Sequence, residues 1–440
     1  MSRYHIITYG CQMNENDSEK MSGMLEEIGW EHTDATDDAD LIILNTCSVR
    51  ENANNRFFGN LGNLKKLKKK NPDLIIACCG CMMQEKHIVD TIKERYRYVD
   101  LVFGTHNIAS LPSLLDDVVS RRTLTVEVLE DTDQLQEGLP IKRHFPHKAY
   151  VSIMKGCNNF CTYCIVPVTR GRERSRKPEN ILDEIKRMAD DGVREVTLLG
   201  QNVNSYGKNL DEKISFAELL RKAAEIDGIE RIRFMTSHPK DLSDELIETI
   251  RDEKKISNHI HLPLQSGSSR ILKLMNRHYD KEGYLSLVEK IRERIPGVSV
   301  TTDIIVGFPT ETEEDFNDTL DVYEKCRFDT AFTFIYSKRE GTRAASMDGQ
   351  VPKEVSSERF NRLIETHDRI LFEKNMEYLN RTVEVMVDGK SRTNPKMLTG
   401  RTDTFRLVNF SGCARPGDIV KVNIDSVKTF HLSGKITDKE

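Results

Sequence analysis

Over most of its length this chain alternates short apolar runs with amphipathic segments, and that alternation narrows its fold more than any other feature. Tyr4–Thr8, Leu41–Leu44 and Leu74–Cys78 are strand-like. Between them, Asn14–Ile28 places Met21, Met24, Leu25 and Ile28 on one helical face, and a charged helix runs from Ser48 to near Lys70. A third helix starts near Gln84, and Leu101–Phe103 with a Leu111–Val119 helix completes the series. Strand–helix–strand succession implies a parallel sheet covered on both faces. The loops after its strands share one edge, where ligands bind in open α/β folds. Cys11 follows the first strand, Cys47 the second and Cys81 the third, so residues 36 and 34 positions apart come side by side. The competing reading is three core cysteines, but strand ends are a poor place for apolar filler. Cys78, Cys79, Cys326 and Cys413 fit the core better.

The fold class is α/β, in four stretches. An N-terminal open parallel α/β sheet occupies residues 1–120, and a connector carrying Glu127, Glu130, Asp131 and Asp133 spans 121–147. Residues 148–375 repeat strand and helix. Strands fit Ala149–Met154, Glu195–Leu199, Ile232–Met235, His259–Leu262, Val298–Val306 and Ala331–Tyr336, and a long helix, Glu354–Tyr378, closes the series. Six units rather than eight make a partial (β/α)6 barrel. Residues 376–440 read as a small all-β, OB-like barrel, with strands at Thr382–Val387, Phe405–Asn409, Ile419–Ile424 and Ser426–His431.

The second barrel-forming stretch opens on Gly156-Cys-Asn-Asn-Phe-Cys-Thr-Tyr-Cys164, a C-x3-C-x2-C triplet of Cys157, Cys161 and Cys164. Three thiolates hold three corners of a [4Fe–4S] cube and leave one iron open to a substrate or cofactor. Zinc is the alternative. It prefers four ligands in paired sets, and only His144 and His147 stand nearby. Tyr163 is placed either to present its ring to an adenine or to pack the loop. Ten cysteines, no apolar stretch of membrane-spanning length and no secretory pattern at the start predict a cytoplasmic protein with metal-binding or catalytic thiols and no membrane partner.

These motifs closely resemble the radical S-adenosylmethionine (SAM) superfamily and, within it, the methylthiotransferases that act on tRNA. The resemblance rests on the triplet with Ile165-Val-Pro167 and Thr169-Arg-Gly-Arg-Glu-Arg-Ser-Arg176, and on Gly10-Cys-Gln-Met-Asn14, Asn45-Thr-Cys-Ser-Val-Arg50 and Gly80-Cys-Met-Met-Gln84. A C-terminal stretch similar to the family's TRAM domain completes it. Val168 departs from it, standing where an aromatic is expected. The resemblance implies two [4Fe–4S] clusters, one on each cysteine triplet, facing each other across the substrate. It implies SAM as both radical source and methyl donor, and a methylthio group transferred to C2 of N6-dimethylallyladenosine at position 37 of tRNA. It further implies an electron donor of flavodoxin or ferredoxin type and a monomeric enzyme. Polar loops at barrel strand ends suit SAM, with Gly200, Gln201, Asn202, Gln265 and Gly307 the candidates beside Tyr163. Each is equally read as a turn with a satisfied polar residue.

A net charge of −5 does not mark a nucleic-acid binder, so local clusters carry that expectation. Arg170, Arg172, Arg174 and Arg176 follow the cluster loop and suit phosphates or base edges of the tRNA anticodon stem-loop. The alternative is a solvated turn. Lys390, Arg392, Lys396, Arg401 and Arg406 lie in the terminal barrel, with Phe405 and Phe410 as stacking or core residues. A lysine run from Lys65 to Lys70 reads more simply as an exposed helix face. Two other readings stay open on the residues: a relative acting on a ribosomal-protein aspartate or a different modified adenosine, and a non-enzymatic iron–sulfur RNA sensor.

Overall fold

The computed structural model describes residues 2–48, 51–121, 123–129 and 135–437. Val49 and Arg50 of the second cysteine motif, and Glu130, Asp131 and Asp133 of the connector, lie outside them. Among the described residues no helix is long and apolar enough to cross a membrane.

The first unit runs β1 (Arg3–Thr8), α1 (Gln12–Glu27), β2 (Glu31–His32), β3 (Leu41–Thr46), α2 (Glu51–Lys70), β4 (Ile75–Gly80), α3 (Lys86–Arg95), β5 (Leu101–Phe103), α4 (Leu111–Arg121) and β6 (Thr125–Glu127). All strands are parallel, in the order β2-β1-β3-β4-β5-β6. The first five follow the doubly wound flavodoxin-like order, with its switch point between β1 and β3. β2 is only two exposed residues and β6 falls inside the expected connector, so neither shows as an apolar run. The central strands are buried on both faces, which explains their unbroken apolar sequence. Leu41 and Ile43 face α1 and α4, while Ile42 and Leu44 face α2 and α3. Cys78 and Cys79 fill these two cores in turn.

Next come β7 (Lys148–Ser152), β8 (Met154–Lys155), α5 (Val166–Thr169), β9 (Arg174–Ser175), α6 (Pro178–Asp190), β10 (Glu195–Leu199), α7 (Phe216–Ala224), β11 (Arg231–Phe234), α8 (Asp244–Asp252), β12 (His259–His261), α9 (Ser269–Leu274), α10 (Lys281–Arg294), β13 (Ser299–Val306), α11 (Glu313–Cys326), β14 (Thr330–Ile335) and α12 (Lys353–Met376). β7, β10 and β11 pair in parallel, as do β12, β13 and β14, and a single bridge from Ile232 to Ile256 joins the two sets. The result is six strands in sequence order. Helices start where polar caps allow: at α7, Ser215 and Glu218 form a reciprocal capping box, worth about 0.5–2 kcal/mol.

The last unit is a closed barrel in the order β15-β16-β17-β19-β18, built from β15 (Thr382–Lys390), β16 (Leu398–Thr402), β17 (Leu407–Ser411), β18 (Ile419–Val427) and β19 (Leu432–Ile436). The strand expected at Ser426–His431 is instead the end of β18 and a turn, and β16 is an additional strand. This barrel caps the partial barrel where the parallel strands begin. Arg231 Nη1 donates to the Arg401 carbonyl at 3.1 Å, and Arg233 Nη2 to that of Thr402 at 2.8 Å. Phe405 stacks on His259 with ring centroids 5.1 Å apart. Cys413, expected in the core, is exposed.

α1 links the first two units. Its apolar side faces the sheet, yet Asn14, Asn16, Asp17, Glu19 and Lys20 are buried too, because the barrel covers the opposite side. Asn16 Nδ2 donates to the Tyr150 carbonyl at 3.1 Å, and Glu19 accepts from the His144 backbone N–H at 3.0 Å. The strand ends of the first sheet are thereby turned toward the cysteine loop of the barrel.

Candidate iron–sulfur and SAM site

Cys11, Cys47 and Cys81 lie just past the ends of β1, β3 and β4, Cys11 as the N-cap of α1, so Cys11 and Cys47 flank the switch point. Two of the three cysteines, Cys11 and Cys81, follow left-handed glycines that no other residue replaces cheaply. Gly10 has φ +111°, and a Cβ there would lie 2.8 Å from Cys47 Sγ. Gly80, at φ +93°, sits against the Thr46 backbone. Asn14 and Asn45 lace the loops together. Asn14 Nδ2 donates to the Thr46 carbonyl at 2.9 Å, and Asn45 Nδ2 to that of Asn14 at 2.8 Å.

Cys157, Cys161 and Cys164 lie in the loop after β8. The Cys157 N–H donates to the Gly171 carbonyl at 3.2 Å, and Gly156, at φ +78°, packs on the Arg172 carbonyl. Burial pushes the Cys157 thiol up to about 11 and the Cys164 thiol up to about 12, and raises that of Cys81. Bare, these three thiols are protonated at neutral pH, and coordination is what would hold them as thiolates. Among the described residues no three His, Cys, Asp or Glu side chains converge on one ion-sized position. Each triplet is an all-thiol donor set, the ligand chemistry that an iron–sulfur cluster takes.

The arginine run divides, with Arg170 and Arg176 buried, a correction to the exposed role expected of them, and Arg172 exposed. β9 pairs antiparallel with β8, Met154 opposite Ser175 and Lys155 opposite Arg174, which folds the run back along the cluster loop. Arg170 is buried. Its Nη2 lies 2.8 Å from Asp17 and its Nε donates to Cys81 Sγ at 3.3 Å. Burial opposes its charge, but Asp17 with the Cys81 and Cys11 thiols outweighs that and raises its pKa. Arg176 is buried between Glu137 at 2.5 Å and Glu184 at 2.6 Å. Arg406 is buried on Asp329 and Asn375. These three guanidiniums are buried and committed to internal partners. Arg401 is half-buried, its guanidinium 4.3 Å from the Phe405 ring, and Phe410 belongs to the core of the terminal barrel. Arg172, Lys390, Arg392 and Lys396 are exposed, with Arg172 lying 4.3 Å over Phe160. Arg174 is half-buried and donates to the Arg170 carbonyl at 3.5 Å.

The SAM candidates divide similarly. Asn202 is used internally, on Asp241 at 2.7 Å and the His238 N–H at 3.1 Å. Gly200 and Gly307 permit close approach of Met154 and Ser356. Tyr163 packs with Ile271, Met275 and Phe308. Gln265 holds a left-handed backbone, φ +71°, at the end of β12. Gln201 Oε1 is buried without a hydrogen-bond partner among the described residues, and so are both amide atoms of Asn204, Ser237 Oγ and His238 Nε2. These unpaired atoms lie on the loops after β10 and β11, at the strand ends where such barrels bind ligands. His238 Nδ1 accepts from the Lys240 N–H at 3.2 Å. Burial and then Arg277 hold its pKa down at about 2, so the ring is neutral with its proton on Nε2. Ser237 and His238 lie in Thr236-Ser-His238, one of the polar strand-end loops that suit SAM in the sequence, but Asn204 had no spacing signal. Nor did Arg277, which the fold brings to Cys161 from 116 residues away.

Residues 151–323 match the radical SAM superfamily, 3–104 an uncharacterized protein family, UPF0004, and 377–437 the TRAM domain. Solved structures sharing the fold include the radical S-adenosylmethionine methyltransferase TsrM from Kitasatospora setae. It has a TM-score of 0.57 at 14% identity, over 78% of this chain and 77% of that one. The cobalamin-dependent radical enzyme OxsB follows at 0.54 and 13%, over 84% and 56%. Fold and site together define a radical SAM enzyme flanked by a cysteine-bearing sheet domain and a TRAM barrel. Curated relatives are much nearer in sequence. Proteins of Acetivibrio thermocellus and Alkaliphilus oremlandii are each 56% identical, over 98% and 99% of this chain and 90% and 92% of their own. One from Clostridioides difficile is 54% identical over 97% and 90%. All three are named tRNA-2-methylthio-N(6)-dimethylallyladenosine synthase, and the chain belongs to that family.

Proposed function

We propose that this enzyme transfers a methylthio group to C2 of N6-dimethylallyladenosine at position 37 of tRNA. The names of its relatives support the substrate. One structural observation carries the reading: two separate three-cysteine sets are turned toward one interface, and residues 170–172 touch both. Cys157, Cys161 and Cys164 would hold one [4Fe–4S] cluster, and Cys11, Cys47 and Cys81 a second. When bound, the clusters and SAM supply a radical able to remove hydrogen from an unactivated aromatic carbon, a sulfur to replace it and a methyl group for that sulfur.

The chain's own residues do the positioning. Gln201, Asn204, Ser237, His238 and Gln265 offer neutral hydrogen-bonding groups at the barrel mouth, suited to a nucleobase or to SAM. Gly200, Asn202, Gly307 and Tyr163 shape that mouth. α1 closes one side of the interface and excludes water from it. Arg172 beside the cluster loop, and Lys390, Arg392 and Lys396 on the terminal barrel, would grip the anticodon stem-loop backbone. The loop adenine would be splayed out of its stack to reach the site. An electron donor of flavodoxin or ferredoxin type and a monomeric, cytoplasmic enzyme complete the proposal.

Anaerobic iron and sulfide counting tests it. Wild type should hold two cubes, and replacing Cys11, Cys47 and Cys81 with alanine should remove one. With reductant, SAM and dimethylallyl-modified tRNA, the isolated nucleoside should gain one methylthio group in place of hydrogen. A single cube in wild type would refute the assignment.

A further inference from the structure

Each cysteine triplet has one buried arginine aimed at one of its sulfurs. Arg170 Nε donates to Cys81 Sγ at 3.3 Å, and Arg277 Nη1 donates to Cys161 Sγ at 3.4 Å. Both side chains are more than nine-tenths buried, Arg277 with hydrogen bonds from its other nitrogens and Arg170 with an ion pair but no hydrogen-bond partner for either Nη among the described residues. Arg170 is held by Asp17 at 2.8 Å. Arg277 donates to the Pro263 carbonyl at 3.1 Å and to Tyr279 Oη at 2.9 Å. Neither is a metal ligand, since a guanidinium has no lone pair to give.

We infer that Arg170 and Arg277 are matched positioning residues, each fixing one thiolate of its cluster and making that cluster easier to reduce; this rests on the two-cluster reading above. Hydrogen bonds to the sulfurs and net local charge are what a protein uses to tune an iron–sulfur potential. A fixed cation one hydrogen bond from a thiolate favours the more negative, reduced state. Arg170 has a second task. It leaves the chain six residues after Cys164, yet it holds Cys81 of the other domain, while the next residue, Gly171, accepts from the Cys157 N–H. Three consecutive residues, 170–172, thus lock the two triplets into register, and the Thr105 hydroxyl ties that stretch to the first domain through the Thr169 carbonyl at 2.8 Å. Partners of metal ligands of this kind typically contribute about 10–100-fold in metal affinity or activity.

The test reads potentials, in full-length protein carrying one cluster at a time. The C157A/C161A/C164A background isolates the N-terminal cluster, and C11A/C47A/C81A isolates the barrel cluster. Iron and sulfide counts come first. A background holding no cube overturns the two-cluster reading and this inference with it. Where each holds one, R170Q should shift the midpoint of the N-terminal cluster to more negative potential in an EPR-monitored titration. R170K should shift it less, and R170Q should leave the barrel cluster unmoved. R277Q should show the converse. Unchanged midpoints in both glutamine variants, or equal shifts of both clusters by either one, would overturn the inference and leave these arginines as structural ion pairs.

Discussion

Removing Arg406 should weaken the protein without weakening its grip on RNA, while removing Lys390, Arg392 and Lys396 should do the reverse. Arg406 Nη2 lies 2.5 Å from Asp329 Oδ1, and its Nη1 lies 2.6 Å from Asn375 Oδ1 and 3.2 Å from the Asp329 carbonyl. Breaking a buried pair from one side costs about 3–5 kcal/mol, because the other charge stays buried. Here the Asp329 carboxylate keeps the Val300 N–H at 2.8 Å and Lys374 at 3.6 Å, so R406A belongs at the lower end, about 3 kcal/mol. The three exposed cations predict the opposite signature. Each neutralised phosphate contributes about 0.7–0.9 to the slope of log K against log salt, so K390A/R392A/K396A should flatten it by about 2 to 3. Fluorescence anisotropy of a labelled anticodon stem-loop across a salt series measures the slope, and denaturant titration of the same variants measures stability. A flattened slope for R406A at unchanged stability, or an unchanged slope for the triple variant, would refute the assignment of roles.

Other expectations follow from individual contacts. Burial opposes the charge of Glu195, but Arg233, Lys148 and Arg231 outweigh it and bring its pKa from 4.5 to about 2. Because the folded value is depressed, its contribution is present above about 4.5 and lost as pH falls through about 2; E195Q should flatten the pH dependence of unfolding across that window. G10A should cost one cluster's worth of iron and sulfide, since the new methyl would press on Cys47, and G156A should cost the other by displacing the Arg172 carbonyl from the cluster loop. F405A should lose up to about 3 kcal/mol of docking between terminal barrel and partial barrel. Faster proteolytic release of the terminal barrel would register it.

The site was legible where chemistry is written in local spacing. C-x3-C-x2-C states its ligand set within eight residues, and the other triplet follows from strand ends because parallel strands share one loop edge. Unbroken apolar runs marked the central strands for the same reason they are buried on both faces. The two-residue β2 has too little apolar sequence to announce itself, so the flavodoxin-like order and its switch point emerged only from pairing. Arginines misled most. A guanidinium reads identically in sequence whether it stays exposed, as that of Arg392 does, or meets a buried carboxylate, as that of Arg406 does.

By itself, then, the order of amino acids determined the three folded units and the placing of two cysteine triplets after parallel strands. All of these depend on periodicity and short-range spacing. Tertiary packing alone decided which charges remain available to a partner, that the terminal barrel plugs the end of the strands away from the cysteines, and that Arg170 and Arg277 reach sulfurs 89 and 116 residues away. Burial and pairing are properties of surfaces brought together from distant parts of the chain, and no local pattern encodes them.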